Sequence, residues 1–196
     1  MSMANTAETG GVARRSGRDV PHIKGGSFMK IRVGAIRVGL AAAFMATVVG
    51  ASAANAQVIT HRDVGVRMGL AVAVAALDQC EKDGNSVSVA VVDRAGRLRV
   101  FLQSDNANPH NIELARRKAY TARTFGRTSA EWAKRTAETP EIAAQRELAD
   151  VIALRGGVPI KVGNETIGAV GVSGSSSEGD EKCAMAGVAK VADQLK

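Results

Sequence analysis

Two stretches of alternating, β-branched sequence constrain this chain most. The first is "SVSVAVVD" (Ser86–Asp93), "RAGR" and "LRVFLQS" (Leu98–Ser104). The second, Gly156–Gly174, sets Val158–Val162 and Thr166–Val172 on either side of "GNE". Side chains alternate between the faces of a strand, so a period of two marks a strand. Glycine-bearing turns of this length fold the chain back on itself. Each stretch is therefore expected to be a β-hairpin, and hairpins pair antiparallel.

Helical patterns fill the remainder. "VGVRMGLAVAVAALDQCEKDG" (Val64–Gly84) is rich in Ala and Leu, and Gly84 suits its C-terminal cap. Met68–Leu77 is apolar nearly all round, so burial on more than one side is expected. Asn111–Phe125 reads as a second helix. Thr128–Thr136 opens with a capping-box pattern, and "PEIAAQREL" begins a short helix at Pro140. "SSSEGD" reads as a loop in which Asp180 caps a closing helix, "EKCAMAGVAKVADQL". Helices segregated around two hairpins predict an α+β domain with one antiparallel sheet.

The net charge of +7 would ordinarily suggest a nucleic-acid or membrane partner. Its distribution argues otherwise. Met1–Ala56 carries seven Lys/Arg against two Asp/Glu, whereas Gln57–Lys196 carries nineteen against seventeen. Aromatic content of 3% also leaves little with which to stack bases. The basic segment has the three-part pattern of a secretory signal: Lys30, Arg32 and Arg37, then uncharged Leu40–Val49, then small residues at Ala54–Ala56. Translation from Met29 and cleavage after Ala56 are expected, leaving residues 57–196 as one exported domain. Arg14-Arg15 lacks the apolar continuation of a twin-arginine signal. The alternative is an uncleaved anchor, for which the apolar run is short. In an oxidising compartment Cys80 and Cys183 either form a disulfide or stay as two buried thiols.

"PHNIELARRKAYTARTF" (Pro109–Phe125) raises the question of a site. At 100° per residue Ile112, Ala115, Ala119 and Ala122 form one apolar face, and Lys118 borders it. Either Lys118 snorkels to water or it holds an anion. His110, just before the helix, is either a capping or solvent histidine or a ligand donor. CxxCH, HExxH, GxxxxGK[ST] and a nucleophile elbow are all missing, so covalent c-type haem, zinc hydrolysis and a serine triad lack support, and no catalytic residue is assigned.

Four segments in one order carry a resemblance: "VSVAVVDRAGRLRVFLQSDNANPH", "ARRKAYTARTF", "GGVPIKVGNETIGAVGVSG" and "DEKCAMAG". Together they resemble the GlcG/HbpS-like haem-binding family, also called haem-degrading, over about Val64–Leu195. The resemblance implies a profilin-like or roadblock-like domain, homo-oligomers and non-covalent haem. It makes His110 the candidate axial ligand of iron, since imidazole binds iron well. It makes Lys118 and Arg117 candidate partners of the propionates, with Thr121 adding a hydroxyl one turn on. The chain departs from the family where "SGSSSEGD" replaces an "SGAPGG"-like loop. An exported protein that stores, buffers or presents haem is the expectation. An enzyme acting on a small organic acid or on haem, and a partner-binding oligomer with no small ligand, are the alternatives. Neither nucleic acid nor a membrane span of the mature domain is expected.

Overall fold

The structure is a computed structural model that describes residues 58–196. The proposed signal, its cleavage point after Ala56 and the Met29 start lie outside the described residues. The elements in chain order are α1 (Val66–Lys82), β1 (Ser88–Asp93), β2 (Leu98–Gln103), α2 (Asn111–Phe125), α3 (Ser129–Glu138), β3 (Gly157–Val162), β4 (Glu165–Ser173) and α4 (Ser177–Ala189). A 3-10 segment, Pro140–Glu147, follows α3, and a second, Ala192–Gln194, follows α4. The four strands make one antiparallel sheet in the order β2-β1-β4-β3. The expected α+β class is what the chain adopts.

Both predicted hairpins form, and β1 joins them by pairing with β4. That central position buries all six β1 residues. Pro159 donates no ladder hydrogen bond, and it lies on the edge strand β3, where that loss is tolerated. Asp93 closes the first hairpin by accepting from the backbone N–H groups of Ala95 and Arg97 at 2.8 and 2.9 Å, the expected Asx chemistry.

Pleating divides the sheet residues between two layers. Val89, Val91, Ile160, Val170 and Val172 face α1 and α4, where Val72, Ala73, Ala76, Cys183 and Ala184 complete the main core. Val92 and Ala169 face α2 and pack on Ala119 and Ala122. The second layer is thin because small residues meet there. A Cβ on Gly171 would lie 2.1 Å from the Ala115 carbonyl oxygen, and one on Gly157 2.1 Å from that of Lys118. The helix backbone is thus seated directly on the strands.

On the other face Cys80 of α1 and Cys183 of α4 form a disulfide with Cα atoms 5.6 Å apart. It closes a sequence separation of 103 residues. Cross-links of that span stabilise by about 2–5 kcal/mol, largely by restricting the unfolded chain.

Three expectations are corrected. Helix α1 buries one face only: Leu70 is 48% and Val74 40% exposed, because no second layer among the described residues covers them. Ile112 is 45% exposed, so the buried face of α2 is Ala115, Lys118, Ala119 and Ala122, with Asn111 and Thr121. Helix α4 starts at Ser177, inside the stretch read as a loop, and Ser176 caps it by accepting from the Gly179 N–H. Asp180 is freed for another task.

Gly171→Ala drives a methyl into the α2 backbone. A loss of about 1–3 kcal/mol or more is expected in denaturant unfolding. Gly65→Ser, at an open N-cap where a Cβ meets nothing within 4 Å, should be neutral or slightly stabilising.

Candidate functional site

Asp180 pairs with Lys118. The ammonium is 2.7 Å from Asp180 Oδ2 and also donates to the Val172 carbonyl at 3.0 Å. Both residues are nearly fully buried, at 3% and 2% exposure. Lys118 therefore does not snorkel. Its side chain passes Val172, near the end of β4, and Gly156, just before β3, joining α2 on one face of the sheet to α4 on the other. Asp180 Oδ1 accepts from the Ser175 N–H at 2.9 Å, fixing the turn before α4. Gly156 borders the pair at φ +121°, where a Cβ would lie 2.9 Å from Asp180 Cβ.

The pair forms the floor of a cavity of about 240 Å³. Asn108, His110 and Asn111 line it from the start of α2, and Ser173, Ser175 and Ser177 from the start of α4. Asn111 is buried, and its Oδ1 accepts from Ser173 Oγ at 3.3 Å. His110 is exposed at the N-cap of α2, and its imidazole makes no capping hydrogen bond. The cavity thus offers an uncommitted imidazole above a charge-matched floor, with amides and hydroxyls around it.

The four sequence candidates separate here. His110 and Lys118 share the cavity. Arg117 and Thr121 face the segment before β3 and do not line it. Arg117 Nη2 donates to the Val151 carbonyl at 2.5 Å. Thr121 Oγ1 accepts from the Ile152 N–H and donates to the Arg117 carbonyl, both at 2.8 Å. Asp180 was missed as a partner of Lys118 because 62 residues separate them and no local pattern joins them.

Burial pushes the Asp180 carboxyl above the ordinary 3.8, outweighing the pull of Lys118 and of the backbone N–H donors. For an acid raised in the folded state, the stability contribution is complete below 3.8 and is lost as pH rises through the folded value. Lys118→Met removes the counter-charge and enlarges that loss. It should cost about 3–5 kcal/mol near neutral pH and recover part of this on acidification. Lys118→Met with Asp180→Leu should be more stable than Lys118→Met alone, as read by urea unfolding at two pH values.

Known proteins agree with this architecture. GlcG of Escherichia coli strain K12 is 34% identical over 112 residues, which are 55% of this chain and 78% of GlcG. A double mutant of HbpS from Streptomyces reticuli superposes with a TM-score of 0.63 at 34% identity, covering 68% of this chain and 89% of that one. The fold is also that of PduOC, solved as a haem complex, with a TM-score of 0.58 at 24% identity over 65% of this chain and 94% of that one. The family model described as haem degrading protein HbpS-like matches residues 66–189. A match over that much of the described domain, in the fold its relatives share, places this chain in the HbpS-like family.

Proposed function

We propose that this chain is an exported, periplasmic or secreted, protein that binds haem non-covalently to store, buffer or present it. Family membership and the haem-complexed relative of the same fold support the reading. The observation in this chain that carries it is His110, an exposed imidazole with no hydrogen-bond partner among the described residues, at the rim of a cavity. Imidazole is a common axial ligand of haem iron.

The fit to haem is clear for the donor and incomplete for the enclosure. Sites that engulf a ligand of this class run to about 300–1,000 Å³ and are mostly apolar. The His110 cavity is smaller and polar, so one subunit would meet only part of the ring. A second copy of the chain completes the slot in this proposal. The outer face of α1 favours such assembly. There Leu70, Ala71, Val74 and Ala75 line a groove of about 650 Å³ edged by Arg67, Lys82 and Lys190. Propionates reaching Lys118 or Arg117 would compete with Asp180 and the Val151 carbonyl, which already hold those cations. When bound, haem would supply the iron chemistry. The chain would supply the imidazole at His110 and the polar cavity beside it. Among the described residues no helix is long and apolar enough to cross a membrane.

The polar lining also favours a second reading, a small organic acid held in the same cavity. Haemin titration followed at the Soret band separates the two. Saturation near one haem per subunit or per subunit pair is expected, with the band shifted or lost in His110→Ala. No saturable binding by the parent protein would overturn the haem reading and leave the small acid.

A further inference from the structure

Beyond the His110 cavity, the α3 end of the molecule holds a second, smaller one. It measures about 180 Å³ and is lined by Phe125, Arg127, Trp132, Arg135 and Gln145. Trp132 is 1% exposed, and its ring stacks on Phe125 with centroids 4.7 Å apart and planes 19° from parallel. Its indole Nε1 is closed to solvent and has no acceptor among the described residues.

The charges around it have the same sign. Arg127 and Arg135 bring two guanidinium groups, and among the described residues neither has a carboxylate partner within ion-pair distance. Among the described residues the one hydrogen bond from either guanidinium is a long 3.5 Å contact from Arg127 Nε to the Phe125 carbonyl. The two acids of α3 are already engaged. Glu131 accepts from the Thr128 N–H in the capping box, and Glu138 faces Lys134 at 4.0 Å. Among the described residues no carboxylate lines the cavity. Apart from the Gln145 amide, every polar side chain in it is a donor only.

We infer that this cavity is a binding site for a small oxyanion, a carboxylate or a phosphate. The anion is held by Arg127 and Arg135 beside the Phe125–Trp132 stack. Guanidinium groups match the planar fork of a carboxylate and also bind phosphate. The stacked Phe125–Trp132 wall suits the short apolar stem of an organic acid. The site is independent of the haem proposal, because none of its residues lines the His110 cavity.

Trp132 is the only tryptophan in the chain, so its emission reports this site alone. Purified protein is titrated with propionate and, separately, with inorganic phosphate at constant ionic strength. Arg127→Gln, Arg135→Gln and, as a distant control, Arg116→Gln are run beside it. The expected result is a saturable change in Trp132 emission. Apparent affinity should fall about tenfold or more in either cavity variant and remain in the control. Tighter saturation by propionate identifies a carboxylate site, and tighter saturation by phosphate a phosphoryl site. No saturable change with either anion, or a response undiminished in both cavity variants, overturns the inference. Far-UV circular dichroism confirms that each variant is folded.

Discussion

A single buried ion pair joins the two layers of this domain where backbone hydrogen bonds cannot. Helix α2 lies on one face of the sheet and α4 on the other, and Lys118 reaches Asp180 beside Val172 of β4. Burying two charges costs several kcal/mol per ion unless each is fully met. Here Val172 meets the ammonium a second time, and the Ser175 N–H meets the carboxylate. The close seat of α2 on Gly157 and Gly171 makes the reach possible, because it brings the Lys118 backbone against β3. Those dependencies place Ser173–Ser177 opposite Asn108–Asn111 and so shape the cavity between them.

The same pair decides what the cavity offers. A free lysine on its floor would attract any anion, whereas a lysine already matched by Asp180 presents almost no net charge. In the haem proposal recognition then falls to His110 and to the amides and hydroxyls around the mouth. A flat ligand coordinated by His110 extends beyond one subunit's walls, so function and assembly are coupled in the haem proposal. The exposed Leu70 and Val74 on α1 are consistent with a surface meant to be covered.

Local signals carried far into this structure. Both hairpins, the Thr128–Glu131 capping box and the Asp93 turn were legible because each is decided within a few residues. The cysteine pairing stayed open in the sequence, since it depends on how α1 crosses α4. The misreadings have the same origin. Met68–Leu77 is apolar nearly all round, yet the described residues supply only one surface for it to bury against. Ile112 is turned outward because Asn111 and Lys118 take the buried positions near it, each with a partner on β4 or α4. His110 was placed correctly at the helix start, where position follows from the chain. Lys118 was placed at the core boundary, but its partner lies 62 residues away and left no trace in the local pattern.

The most direct measurement is equilibrium haemin binding to the parent protein, to His110→Ala, and to Lys118→Met with Asp180→Leu. With His110 as the iron ligand and Lys118 committed to Asp180, the first substitution should weaken binding about tenfold or more. The paired substitution should then leave affinity within about threefold of the parent. The reverse order, with His110→Ala neutral and the paired variant crippled although folded, would contradict both assignments. It would make Lys118 a ligand-binding cation.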